Sequence, residues 1–193
     1  MEWNSFGSSI TGAIVGGLIT GLFALMAVRH SFDNQRQQSE ENEEKIIKGL
    51  LQAIYDEIET VFDRYQETMG AYLDSLQPDQ ALLMYYPIVS DFFTVYNGNS
   101  SLIGRVPDHD LRKQIIKTYT LSKGMVDSFR MNNDLVSRYE FSEKLYAETN
   151  LEVHKNHAVA HYANLVTYAA SLKESHKALQ QEVSVLLQEL RRN

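Results

Sequence analysis

The chain has 193 residues, a mass of 22.1 kDa and a formal net charge of −7. This length fits one ordinary domain with an appendage and excludes a large multidomain enzyme. The sequence contains no cysteine, which argues against a disulfide scaffold and against thiolate metal chemistry. Basic residues form no cluster, so we expect no nucleic-acid partner.

An uncharged apolar segment lies near the amino terminus. No Asp, Glu, Lys or Arg occurs between Trp3 and Val28, and residues 10–28 are almost continuously apolar. At about 1.5 Å per residue, this segment reaches roughly 28 Å, close to the thickness of a bilayer core. The sequence therefore predicts one transmembrane helix at 10–28, preceded by a short external amino terminus at residues 1–9. The alternative, a buried helix of a soluble protein, seldom reaches this length without a charge.

The charges that flank this segment predict its orientation. Arg29, His30 and Arg36 follow it, whereas Glu2 and no Lys or Arg precedes it. The positive-inside rule then favours an external amino terminus and a cytoplasmic carboxyl-terminal body. Because a cleaved signal peptide would carry a basic n-region, we expect the segment to stay in the mature protein. The predicted location is the inner (cytoplasmic) membrane of a bacterium, with the lipid bilayer as a partner.

Small residues recur along the predicted span at four-residue spacing. Such spacing lets helix backbones approach closely in lipid, where packing drives association. Self-association into a homo-oligomer is therefore expected, although glycine is also common in membrane helices generally. Whether such an oligomer encloses a pore is left open. The residues predicted to mediate oligomerisation are Gly12, Gly16, Gly17, Thr20, Gly21 and Ala24.

An acidic segment follows the predicted span. Residues 33–74 hold 11 acidic and 4 basic residues, whereas residues 77–193 hold 13 of each. An acidic segment is repelled by an anionic leaflet, so residues 29–45 are predicted to form a juxtamembrane linker or stalk.

Residues 46–193 show the apolar periodicity of long packed helices. Steps of four and three continue from Ile47 to Leu76, and Pro78 closes the first track. A seven-residue repeat of leucine occupies the last third, and together these tracks predict an all-α fold with coiled-coil-like packing. The residues predicted to pack the helices are Ile47, Leu51, Ile54, Ile58, Leu165, Leu172, Leu179 and Leu186.

The helix boundaries between these tracks follow from capping residues. Asp108 is a good N-cap for a helix that we expect to end at Asn132-Asn133. The last helix is expected to restart at Thr149 or Asn150. Residues 84–104 are compatible with brief extended segments and with short helices.

One pattern resembles a metal site. His154, His157 and His161 are spaced i, i+3, i+7, which places three imidazoles on one helical face. They predict either a metal or ligand sensor or an ordinary exposed polar face. His176, on the leucine track, is interpreted as a core histidine or a pH sensor.

Catalytic and phosphate-binding motifs are missing from the sequence. The acidic pair Asp56/Glu57 has no neighbouring base and is interpreted as a solvated face. We therefore expect a non-enzymatic protein with no cofactor.

The overall layout of the chain and residues 85–130 resemble a pattern of small bacterial membrane proteins. The residues that carry this resemblance are Tyr96-Asn97, Leu102-Ile103-Gly104, Val106, Asp108, Leu111-Arg112, Ile115-Ile116 and Tyr119. Such proteins have one amino-terminal span and a helical cytoplasmic body, and similar layouts occur in phage-defence and prophage-encoded systems. The resemblance implies a membrane protein that perturbs the envelope after a cytoplasmic trigger.

These observations predict a self-associating single-pass protein that couples a cytoplasmic interaction to the membrane. In the sharper form that the resemblance implies, it is a membrane-perturbing effector of antiviral defence. The alternative is a passive membrane tether for a cytoplasmic protein partner, in which the glycines are incidental.

Overall fold

The computed structural model describes the backbone of residues 3–87 and 92–192, and the side chains of Phe23 and of residues 25–87 and 92–192. This described part contains helices and no strand. The all-α prediction is confirmed. The helices are α1 (Trp3–Tyr65), a π-helix (Gln66–Gly70), α2 (Ala71–Ser75), α3 (Thr94–Gly98), α4 (Ser100–Ile103), α5 (His109–Thr149) and α6 (Glu152–Leu190).

The chain divides into two compact units, Met1–Ile46 and Ile47–Asn193. In the first unit, the acidic region 29–45 is part of α1, and its side chains are exposed. Arg36 pairs there with Glu40, with Nε 2.8 Å from the carboxylate.

The predicted transmembrane span lies in the amino-terminal part of α1. The small residues predicted to mediate oligomerisation fall outside the residues whose side chains are described. Within the described residues, no helix is both long enough and apolar enough to cross a membrane. The span therefore stays a prediction from the sequence.

The second unit is a helical bundle built around α5 and α6. Asp108 begins α5 by accepting hydrogen bonds from the backbone N–H groups of Asp110 (2.9 Å) and Leu111 (3.0 Å). Asn150, with φ of 55°, ends α5 in the left-handed conformation that asparagine tolerates well. The chain then reverses into α6.

The prediction that α5 ends at Asn132-Asn133 is wrong, because α5 continues to Thr149. Both side-chain amides instead bind an extended segment that crosses α5. Asn132 donates to the carbonyl of Leu82 at 3.1 Å. Asn133 donates to the carbonyl of Tyr86 and accepts from its N–H, at 2.6 and 3.0 Å. The two amides supply hydrogen-bond partners to backbone groups of Leu82 and Tyr86. Because they are used there, they do not bond to the backbone of α5 and do not end the helix.

The core runs along the seam between the long helices. Most of the residues predicted to pack the helices are buried there, and Leu51 is partly buried against the same core, beside the buried Leu50. Leu165 belongs to a small neighbouring cluster with Ala81 and Val136. The buried members of the predicted set are Ile47, Ile54, Ile58, Leu165, Leu172, Leu179 and Leu186.

The π-helix changes which residues face the core. A regular helix through Ile47–Leu76 would bury Tyr72, but Tyr72 is 40% exposed and Leu73 is fully buried. A π-turn holds one extra residue, so each following side chain moves one position along the seam. The prediction of one regular helix up to Leu76 is therefore wrong at this point.

Candidate functional site

A tyrosine, a histidine and an aspartate from three helical segments form a hydrogen-bonded chain. The hydroxyl of Tyr65, at the end of α1, lies 2.7 Å from Nδ1 of His176 on α6. Nε2 of His176 lies 3.1 Å from Oδ1 of Asp74 on α2. The side chain of His176 is completely buried, whereas that of Asp74 is 45% exposed. The chain thus runs from the core to the surface.

Both ring nitrogens of His176 have partners suited to a neutral imidazole. In that form Nε2–H donates to the Asp74 carboxylate, and Nδ1 accepts from the Tyr65 hydroxyl. A buried imidazole with both nitrogens in use positions helices well, because each bond joins α6 to a different segment. It leaves no nitrogen atom for an incoming substrate.

The surroundings shift the acidity of the two end groups. Burial raises the pKa of Tyr65 well above its ordinary value, and the charge of Asp74 adds to this. Desolvation acts to raise the pKa of Asp74, but the hydrogen bonds that the carboxylate accepts from Gln66, His176 and Gln180 outweigh it. The pKa of Asp74 is therefore below its ordinary value, so the carboxylate stays ionised as an acceptor.

Glutamine side chains hold the Asp74 carboxylate from its other side. Gln66, the first residue of the π-helix, donates to Oδ2 of Asp74 at 3.0 Å. Gln180 on α6 donates to Gln66 at 3.3 Å. We call Tyr65, His176, Asp74, Gln66 and Gln180 the His176 network. The extra residue of the π-helix brings Gln66 into reach, as π-turns often do at functional sites.

An apolar pocket of about 120 Å³ lies next to the His176 network. The aromatic ring of Tyr65 forms part of its wall, and Thr60 and Arg64, both exposed residues of α1, lie at its rim. α5 and α6 supply further apolar side chains. The principal wall residues are Val61, Phe62, Tyr65, Tyr86, Phe92, Phe93, Met125, Val126, Phe129 and Val183.

A second polar cluster joins α1 to α3 and α5. Glu57 accepts from the backbone N–H groups of Val95 (2.7 Å) and Tyr96 (3.2 Å) at the start of α3. The hydroxyl of the fully buried Tyr119 also donates to Glu57, at 2.7 Å. Burial and then the bond and charge of Glu57 raise the pKa of Tyr119. We call Glu57, Val95, Tyr96 and Tyr119 the Glu57 clamp.

The Glu57 clamp corrects one interpretation of the sequence. The sequence predicts a solvated face for Asp56 and Glu57, but only Asp56 is exposed. The sequence does contain a signal for this, because Glu57 directly precedes the buried Ile58 of the apolar track and so lies at the edge of the seam. The donors on α3 and α5 are far away in sequence and give no local pattern.

The three predicted metal ligands are not brought into a site. His154 and His161 are half-buried on α6 and His157 is exposed. Among the residues with described side chains, no group of three or more His, Asp or Glu residues could hold a metal ion. The interpretation as a metal sensor is not supported by this geometry.

No protein family, curated protein or solved structure matches this chain.

Proposed function

We propose that this is a non-enzymatic, membrane-anchored protein that self-associates through its amino-terminal helix and couples an interaction of its helical bundle to the membrane. The observation that carries the proposal is the extent of α1. It runs without interruption from Trp3 to Tyr65 and therefore contains both the predicted span and the core residues Ile54 and Ile58. The amino terminus would lie outside the membrane and the bundle in the cytoplasm.

In this proposal, α1 is the physical route for the coupling. α1 ends at Tyr65, which bonds to His176 and lines the pocket. A partner or ligand that repacks the bundle would act directly on this end of α1. The response would then reach the predicted span along the backbone of α1.

The membrane part of the proposal is supported by the sequence. The small residues Gly12, Gly16, Gly17 and Gly21 favour close helix–helix packing in lipid. In its sharper form, the protein is an effector that disrupts or depolarises the membrane, as the resemblance to phage-defence layouts implies.

The decisive experiment measures membrane potential and viability in cells that express matched amounts of wild type and a variant. The variant replaces Gly12, Gly16, Gly17 and Gly21 by Leu, which blocks close packing but keeps the span apolar. A matched control replaces four large apolar residues of the same span by Leu, namely Ile10, Val15, Ile19 and Phe23.

We expect wild type and control to depolarise the cells and the glycine variant to leave them intact. Crosslinking in membranes should show oligomers for the first two proteins only. A wild-type protein that remains monomeric in mild detergent and on crosslinking would contradict self-association.

The second candidate is a passive tether for a cytoplasmic protein. It is favoured by the exposed apolar residues near the turn between α5 and α6, which include Phe141, Leu151 and Val159. Replacing residues 10–28 by an unrelated span separates the two candidates. A tether keeps its activity after the exchange, whereas an effector loses it.

A further inference from the structure

We propose that the apolar pocket beside Tyr65 binds a small aromatic monocarboxylate, with its ring inside the pocket and its carboxylate on Arg64. This goes beyond the proposed function, because it assigns a ligand class to the bundle itself. It stands whether or not the protein acts on membranes.

The size and walls of the pocket fit one aromatic ring. Native interiors rarely leave voids larger than a water molecule, and an apolar cavity of roughly 150 Å³ accepts benzene. The present pocket measures about 120 Å³ and is therefore of single-ring size. Phe62, Tyr65, Phe93 and Phe129 line it with aromatic rings, which favour an aromatic ligand over a flexible chain.

The rim of the pocket supplies a single positive charge. Arg64 lines this rim, and its guanidinium makes no hydrogen bond or ion pair with any residue that the structure describes. By contrast, Arg130 and Arg138 on α5 pair with acidic residues. A guanidinium can hold a carboxylate through two parallel hydrogen bonds, so it is suited to the polar end of such a ligand.

The acidic neighbours of Arg64 do not compete for this position. Asp63 and Glu67 line a different surface, together with Gln66 and Asp74. The interior of the pocket offers little to a second charge, because the Ser122 hydroxyl already donates to the carbonyl of Thr118 at 2.8 Å. The ligand should therefore carry one carboxylate and no further charged group.

The test uses the full-length chain, labelled with ¹³C at the methionine methyl groups and followed by NMR in detergent micelles. Phenylacetate is the probe and phenylacetamide is its uncharged counterpart of the same shape. Met125 lines the pocket, whereas Met131 on the same helix is exposed and serves as an internal control. Met125→Leu identifies the resonance.

We expect phenylacetate to shift the Met125 resonance saturably and to leave Met131 unchanged. Phenylacetamide should bind about tenfold more weakly, because it lacks the charge that Arg64 recognises. Arg64→Gln, an exposed position whose change spares the core, should reduce phenylacetate binding to the level of the amide.

A steric variant tests the location of the site. Val126→Phe places a ring in the pocket wall and should abolish the Met125 shift, and Val61→Phe provides a second test of the same kind. Val166→Phe, at a partly buried α6 position outside the pocket, is the matched control and should bind normally. Thermal unfolding verifies that each variant is folded.

Three results would overturn the proposal. The first is the lack of a saturable Met125 shift at millimolar phenylacetate, and the second is a shift that persists in both folded pocket variants. The third is equal binding of acid and amide, which would remove the role of Arg64. Each result is independent of membrane depolarisation, so the ligand site and the proposed function can fail separately.

Discussion

The Glu57 clamp and the His176 network both begin at a tyrosine hydroxyl, that of the buried Tyr119 and that of the partly buried Tyr65, yet they end differently. In the Glu57 clamp, Tyr119 shares one carboxylate with two backbone N–H groups of α3. In the His176 network, Tyr65 bonds to an imidazole, which bonds to a carboxylate that is 45% exposed. One cluster is closed within the protein and the other opens to solvent.

This difference predicts two kinds of response. The Glu57 clamp satisfies backbone donors that have no other described partner, so its loss should mainly lower stability. The His176 network ends at Asp74, a half-exposed carboxylate that also accepts hydrogen bonds from Gln66 and Gln180. Because such bonds hold the pKa of Asp74 below its ordinary value, protonation of this carboxylate at low pH should weaken the network.

Removal of the Glu57 carboxylate should give the largest effect. Glu57→Ala leaves the Tyr119 hydroxyl and two N–H groups of α3 without their acceptor. At about 1 kcal/mol or more for each donor, the free energy of unfolding should fall by roughly 3 kcal/mol. Urea unfolding followed by circular dichroism measures this loss.

Glu140→Ala, at an exposed position of α5, is the control and should change stability by less than about 0.5 kcal/mol. A similarly small loss for Glu57→Ala would mean that the hydrogen bonds of the Glu57 clamp contribute little to the free energy of unfolding.

Removal of the buried imidazole should have the next largest effect. His176→Leu keeps the core filled but leaves the Tyr65 hydroxyl without an acceptor, so we expect a loss of about 2 kcal/mol. His157→Leu on the exposed side of the same helix should be nearly neutral.

A double-mutant cycle sharpens this result. Tyr65→Phe removes the same hydrogen bond from its other end, so its effect should be much smaller when His176 is already Leu. Additive losses would show that Tyr65 and His176 act independently, contrary to the distances.

The sequence predicted the long helices well because their apolar residues repeat with the period of a packed helix. The leucines of α6 and the N-cap at Asp108 are examples in which the signal is local. The sequence also placed His176 in the buried track of α6. Its partners were out of reach of such reasoning, since Asp74 and Tyr65 are separated from it by 102 and 111 residues.

Polar residues with distant partners were the common source of error. In the sequence, Asn132 and Asn133 resemble a helix end, but in the structure their amides donate to the carbonyls of Leu82 and Tyr86. In the sequence, Glu57 resembles a solvated residue, but in the structure it accepts a hydrogen bond from the backbone of Val95 in α3. A short polar side chain carries a capping or surface signal in isolation, and only the tertiary fold decides which acceptor or donor it meets.

Removal of the Asp74 charge, at the exposed end of the His176 network, should have a smaller effect. The folded pKa of Asp74 lies below its unfolded value of 3.8. Its stabilising effect is therefore fully present above that value and is lost as the pH falls through the lower folded pKa. Asp74→Asn should cost roughly 1 kcal/mol at pH 7, and the difference from wild type should shrink below about pH 4.

Denaturant unfolding between pH 7 and pH 2 tests this, with Asp79→Asn at a neighbouring exposed position as the control. If the Asp74→Asn difference stays constant over this range, the carboxylate does not contribute through its charge.

The smallest effect is expected at Gly70, in the π-helix that supports the His176 network. Gly124 and Gly70 both have helical surroundings, and nothing lies within 4 Å of a Cβ added at Gly124. Gly124→Ala should therefore stabilise the protein by about 0.5–1 kcal/mol through helix propensity. A Cβ at Gly70 would clash with Oε1 of Gln66, so Gly70→Ala should displace that side chain from Asp74 and lose this gain. In a Gln66→Ala background the obstacle is removed, and Gly70→Ala should then stabilise as Gly124→Ala does. Thermal unfolding of the four proteins in this cycle measures the coupling between Gly70 and Gln66. If Gly70→Ala has the same effect in both backgrounds, the absence of a side chain at residue 70 does not serve the His176 network.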